Sequence, residues 1–233
     1  MNATTIEEEL PLAELAYREL RRAIVRCEYI PDERLRVEDL GKRFEISNTP
    51  IREALSRLAE QGFVRSIDNK GFRVAPLTVE GISDLTRVRL IIESEALRDA
   101  IENGGDVWEA NMVASSHALS LVEQRLGDTQ VALDNHWTER HRSFHLAVYS
   151  GCDSPLLKIM VEQLFDSAER YRRYSASHRQ TKRIKHDEHT KLLNCILTRN
   201  VDLSLELLKS HIVSTMTTVT TALNSMNVKA EKK

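Results

Sequence analysis

The stretch "RVEDLGKRFEISNTPIREALSRLAEQGFV", residues 36–64, decides how the chain begins. Its second half has the spacing of a helix, with Ala54, Leu55, Leu58 and Ala59 along one stripe, yet it carries Pro50. A proline in the first helical turn costs little, because the N–H groups there have no intrahelical acceptor and the ring presets φ. Ser47 or Asn48, just ahead of it, can cap the orphan donors. The result is a donor-rich helix N-terminus, which attracts phosphate. Arg52 and Arg57 lie off the apolar stripe and are expected to reach outward. The first half reads as a shorter helix with Val37, Leu40 and Phe44 inward. Gly41 inside it predicts that another backbone comes close.

Upstream, Leu12, Leu15, Ala16, Leu20, Ala23 and Ile24 recur at helical spacing between Leu10 and Cys27. "EYIPDERL", residues 28–35, then turns at Pro31 and Asp32. Downstream, "FVRSIDNKGFRVAP", residues 63–76, places two short apolar runs around an Asp/Asn/Gly turn, the pattern of a β-hairpin. Short helix, turn, helix and hairpin is the order of a winged helix-turn-helix, whose second helix enters the major groove of DNA. Three small helices and a hairpin also build interaction modules without a DNA role. Residues 36–76 hold eight basic and six acidic side chains, and the whole chain carries a net charge of −2. So small an excess predicts weak binding by one copy, since phosphate contacts dominate affinity, and a dimer presenting two such surfaces is the natural remedy.

Beyond Thr78 the patterns are all helical. The expected spans are 78–103, 106–126, 129–150, 154–176, 180–200 and 201–224, with "NGGD" and "GCDSP" as separators. The fold class is therefore mainly α: a winged helix-turn-helix over 10–76 and an all-helical bundle over 77–226, with a flexible acidic arm at 1–9 and a loose tail at 227–233. No apolar run approaches the ~18 residues of a membrane span, and the acidic N-terminus lacks the regions of a signal peptide. Cys27, Cys152 and Cys195 are far apart and form no CxxC pair. That argues for a reducing cytoplasm and against a disulfide frame or a thiolate zinc site.

The second informative stretch is "HRSFHLAVY", residues 141–149. His141 and His145 are four apart and share one helix face, an ordinary way to present two imidazoles to one metal ion. His189 and His211 fall on two further helices, next to Leu192, Leu193 and Leu208. Four neutral imidazoles converging in a bundle would suit Zn²⁺ or Ni²⁺. The alternative is that these are satisfied core or surface histidines. Arg89 either faces a pocket, where its fork could hold a carboxylate, or pairs at the surface with Glu93 four residues on. Most of "ERYRRY", residues 169–174, is expected to face water, with one Arg or Tyr turned inward.

The stretch at 36–64, followed by "GFRVAP", closely resembles the GntR family of bacterial transcription regulators, and the helical remainder resembles the FadR-type group with its FCD ligand-binding domain. The resemblance implies that Ser47, Asn48, Thr49 and Arg52 contact operator DNA, that Arg36 meets phosphate, and that Lys70 and Gly71 form the tip of the wing. Many relatives have Arg directly after the Ser, where this chain has Asn48. Arg prefers guanine and Asn adenine in the major groove, so the operator is expected to differ. The FCD pattern implies a metal site of His145, His189 and His211, with His141 standing where Asp or Asn is common. It further implies a small carboxylate effector, a short dicarboxylate among the options, contacted by Arg89 and Tyr171, and a homodimer. Three functions are consistent with this set: a ligand-responsive transcription regulator, a metal-dependent hydrolase or isomerase, and a metal-ion sensor.

Overall fold

The computed structural model describes residues 10–68, 70–127, 131–178 and 186–230 and divides into two compact units, one to Leu77 and one from Thr78. The expected arm at 1–9 and the ends of the turn and tail at Asn69 and 231–233 lie outside the described residues.

The first unit runs α1 (Leu12–Val25), β1 (Arg34–Leu35), α2 (Val37–Phe44), α3 (Asn48–Glu60), β2 (Val64–Ile67) and β3 (Gly71–Val74). Its core joins Ala16, Leu20 and Ile24 of α1 to Leu40 of α2, Ile51, Leu55 and Leu58 of α3, and Phe72 and Val74 of β3. Leu12 and Leu15 stay outside it, 53% and 39% exposed. The hairpin of β2 and β3 pairs Val64 with Val74 and Ile67 with Gly71. The sheet has a third strand that the sequence reading did not anticipate: β1 adds to β3, with Arg34 opposite Arg73 and Leu35 opposite Phe72. Two residues are too few to display an alternating pattern.

Gly41 has the close neighbour expected of it. A Cβ there would stand 2.9 Å from the Ile46 carbonyl oxygen and 3.1 Å from Asn48 Oδ1, so the turn between α2 and α3 closes over a bare backbone. Glu45 ends α2 in the left-handed conformation, at φ 56°. Ser47 is the extended residue before α3, but its side chain makes no capping hydrogen bond; Asn48 is already helical, and Pro50 is the third residue of the first turn.

The second unit comprises α4 (Val79–Asn103), α5 (Asp106–Leu126), a 3₁₀ turn (Val131–Leu133), α6 (Asn135–Tyr149), α7 (Pro155–His178), α8 (His186–Leu197) and α9 (Val201–Ala230). Thr78 Oγ1 caps α4 by accepting from the Gly81 N–H at 3.0 Å, and Asp134 Oδ1 caps α6 by accepting from the Trp137 N–H at 2.8 Å. That second cap explains why the span expected over 129–150 divides into a 3₁₀ turn and a helix. The last helix outruns its expected end at 224, since no Gly or Pro interrupts it. The core joins Leu97 and Ile101 of α4, Met112 and Leu119 of α5, Phe144 and Val148 of α6, Leu192 and Ile196 of α8, and Leu208 and Ile212 of α9. Gly104 and Gly151, the separators seen in sequence, both lie against the Trp108 ring, whose Nε1 donates to the Ala147 and Val148 carbonyls.

Candidate functional site

Helical spacing brings Trp137, His141 and His145 onto one inner face of α6. Trp137 stacks on His141 with ring centroids 4.4 Å apart. His189 enters from α8 and His211 from α9. All four imidazoles are buried, and one nitrogen from each lies within 4.8 Å of the others. The Nε2 atoms of His141 and His145 are 3.1 Å apart.

The surroundings keep these rings neutral. Burial holds His141 well below the usual histidine range, reinforced by the Arg172 guanidinium; burial does the same for His145, reinforced by His211. A neutral imidazole keeps the lone pair a metal needs. His211 Nδ1 lies 2.9 Å from Glu188 Oε2. An N–H donated there leaves Nε2 of His211 as the free lone pair, the usual way an outer carboxylate orients a ligating histidine. His141 Nδ1 is buried with no hydrogen-bond partner among the described residues. Zinc sits about 2.0–2.1 Å from imidazole nitrogen, so tetrahedral ligands are about 3.4 Å apart. The cluster is close to that size, and its donor set fits a divalent ion of borderline softness.

Beside the histidines is a cavity of about 40 Å³ whose wall includes Arg89, Trp137, Phe165, Glu169, Arg172 and Thr215. Arg89 combines the two readings made of it. It lines the cavity, yet its Nε and Nη2 already donate to Glu93, at 2.5 and 3.2 Å, inside the protein. Burial opposes the Arg89 cation, but Glu93 outweighs it and holds the guanidinium charged. Glu93 also accepts from Tyr149 Oη at 2.8 Å.

Tyr171 is not part of this cavity, contrary to expectation. Its hydroxyl lies against Gly81 at the start of α4, where it packs two helices together. The inward-turning member of "ERYRRY" at the cavity is Arg172, which stacks over Trp137 at 4.5 Å and pairs with Glu169. Nor does most of that run face water: Glu169, Arg170, Tyr171 and Arg173 are all buried. Arg173 Nη1 donates to Thr138 Oγ1 at 2.8 Å, tying α7 to α6. Trp137 could have been found in the sequence, four residues before His141. Arg172 and Glu188 had no comparable signal.

In the first unit, Ser47, Asn48, Thr49 and Arg52 are exposed on the first turns of α3, Arg36 is exposed at the start of α2, and Lys70 and Gly71 are exposed at the hairpin. Basic residues divide into two sets. Arg43 pairs with Glu28, Arg65 with Asp32, and Arg73 donates to the Asp32 carbonyl. Arg57, expected to reach outward, instead lies over the Tyr17 ring at 4.0 Å and pairs with Glu14 at 3.0 Å. Arg36, Arg52 and Lys70 make no ion pair among the described residues. The cations left unneutralised are those placed to meet a phosphate or a base.

The FCD domain family matches residues 84–214, and the family of bacterial regulatory proteins named for gntR matches residues 12–74. The chain belongs to the GntR family, in its FCD group. This GntR-family chain is 38% identical over 208 residues to the uncharacterised HTH-type transcriptional regulator BphR of Paraburkholderia xenovorans, covering 89% of this chain and 85% of that one. It is 36% identical over 202 residues to the HTH-type transcriptional repressor GlaR of Escherichia coli, covering 85% and 91%. McbR/YncC of E. coli shares the fold, with a TM-score of 0.75 at 20% identity over 94% of this chain and all of that one. GntR-family proteins of this type are DNA-binding transcription regulators, so the hydrolase or isomerase reading is set aside. Among the described residues no helix is long and apolar enough to cross a membrane.

Proposed function

We propose that this regulator binds double-stranded operator DNA as a homodimer in the cytoplasm, through Arg36, Ser47, Asn48, Thr49, Arg52, Lys70 and Gly71, and that its helical unit binds a divalent metal and a small carboxylate effector. The observation that carries the metal is the convergence of His141, His145, His189 and His211, four buried imidazoles with ligand atoms within 4.8 Å of one another. Zn²⁺ or Ni²⁺ suits that donor set. A metal bound there supplies a cationic anchor for a carboxylate.

The protein's own groups set what enters. A cavity of about 40 Å³ admits a small acid rather than a bulky one. Trp137 and Phe165 give it apolar walls, and Arg172 supplies the opposing charge. Arg172 is held by Glu169, so a carboxylate entering the cavity competes with Glu169 for the guanidinium. Tyr171 is withdrawn from the effector contacts, and Arg89 acts there as a charged wall already paired with Glu93. An effector alters operator affinity only insofar as it binds two arrangements of the protein differently.

The completeness of the four-histidine set also favours a second reading, in which the ion itself is the signal, since four protein ligands close a tetrahedral site. Fluorescence anisotropy with labelled operator DNA separates the two. Chelated protein, protein with Zn²⁺ alone, and protein with Zn²⁺ and a panel of mono- and dicarboxylates are titrated in parallel. The effector reading requires a shift of affinity with an acid present beyond that with Zn²⁺ alone. A full response to Zn²⁺ alone, unmoved by any acid, makes the chain a metal sensor.

A further inference from the structure

Helix α4 turns Arg89 and Glu93 inward and a narrow stripe outward: Asp84, Arg87, Ile91, Glu95 and Arg98, spaced three or four apart and all exposed. Ile91, at the centre, is 65% exposed. The charges around it change sign by reflection. Seven residues before Ile91 is an acid and seven after is a base; four before is a base and four after is an acid. Reversing the helix about Ile91 therefore lays every charge on its opposite. A two-fold interface demands this kind of self-complementarity, because each contact between positions i and j occurs twice.

The neighbouring helix extends the surface. α7 runs antiparallel to α4: the Asp153 N–H donates to Asp99 Oδ2 at 2.7 Å near one end, and Tyr171 meets Gly81 near the other. Between those anchors α7 leaves Leu156 and Ile159 65% and 53% exposed, within about one helical turn of the level of Ile91. One isoleucine cannot supply the ~800 Å² per partner of a stable interface; a face of two helices can. Arg87 and Asp84 meet at 2.7 Å within the chain, but both are largely exposed, 76% and 65%, so this local pair is weak and leaves them available.

We propose that the outer face of α4, with Leu156 and Ile159 of α7, is the surface on which a second copy of this chain docks. The two α4 helices cross antiparallel at Ile91, setting Asp84 against the partner's Arg98 and Arg87 against the partner's Glu95. A parallel crossing would set like charge on like. The proposal rests on the homodimer reading above and adds its location. It also makes α4 at once the cavity wall and the interface, so the effector site lies one helix thickness from the partner.

Sedimentation equilibrium of the full chain and of exposed-site variants tests this, with circular dichroism confirming that each variant is folded. The wild type is a dimer. Ile91→Glu places two carboxylates on the symmetry axis and raises the dissociation constant about tenfold or more. Arg87→Glu and Glu95→Arg each weaken the dimer, and the double variant returns to within about threefold of wild type. A wild-type dimer unmoved by all three single changes overturns the location while the homodimer stands. Weakening by the single changes without recovery in the double variant overturns the pairing. A wild type that stays monomeric overturns the location and the homodimer together.

Discussion

His141 and His145 point Nε2 at Nε2 across 3.1 Å inside the helical unit. Only one proton fits between two such nitrogens, and both rings are held well below the ordinary histidine pKa by burial. In the unfolded chain they take up protons below about pH 6.5; in the fold they do so only at much lower pH. Between those limits the unfolded state binds more protons, so stability falls as pH falls. Each ring contributes up to about 1.4 kcal/mol per pH unit in that window. Chelator-treated protein is thus expected to melt at lower temperature at pH 5.5 than at 7.5, with a smaller difference in a His141→Asn/His145→Asn variant. An unchanged pH dependence in that variant contradicts the burial argument.

Glu188 orients His211 from outside the cluster. Loss of such a carboxylate typically weakens metal affinity about 10–100-fold. Glu188→Ala, at a side chain 38% exposed, is expected to show that loss in a Zn²⁺ competition titration with its melting temperature in chelator unchanged. Affinity equal to wild type would show that His211 needs no such support.

The bare backbone of Gly41 predicts a reversal of the usual helix rule. Gly→Ala inside a helix ordinarily stabilises by about 1 kcal/mol. Here the methyl would meet the Ile46 carbonyl at 2.9 Å, and carbonyl and turn must shift, at about 1–3 kcal/mol. Gly41→Ala is expected to weaken operator binding although every proposed DNA-contacting side chain remains. Binding and stability equal to wild type would mean the turn is slack.

Arg52 and Arg57 lie on one helix and are expected to separate by function. Arg52→Ala removes an exposed, unpaired cation and is expected to weaken operator binding by about 1–3 kcal/mol, with melting unchanged. Arg57→Ala removes the contact with Tyr17 and Glu14 and is expected to lower stability instead. Equal operator affinity in Arg52→Ala would displace α3 from its groove.

These contrasts show where the residues alone were sufficient. Gly41, Pro50 and the His141–His145 spacing are local signals: each fixes a backbone or a face within one helix. His189 and His211 were legible because they sit beside strongly apolar positions on helices of their own. Arg57 and Tyr171 were misplaced for a common reason. In a helix dense with charged and aromatic residues, periodicity leaves several faces open, and only the neighbouring helix selects which turns inward. The same holds for "ERYRRY", where burial of Glu169, Arg170 and Arg173 depends on partners distant in sequence. β1 was invisible because its pairing with β3, not its composition, makes it a strand.

The central claim is that four imidazoles hold one divalent ion. Elemental analysis of purified protein, loaded with Zn²⁺ and then desalted, tests it directly beside a His145→Ala variant prepared in the same way. The expected result is close to one ion per wild-type chain and almost none in the variant. A metal-free wild type, or equal metal in both, would contradict it.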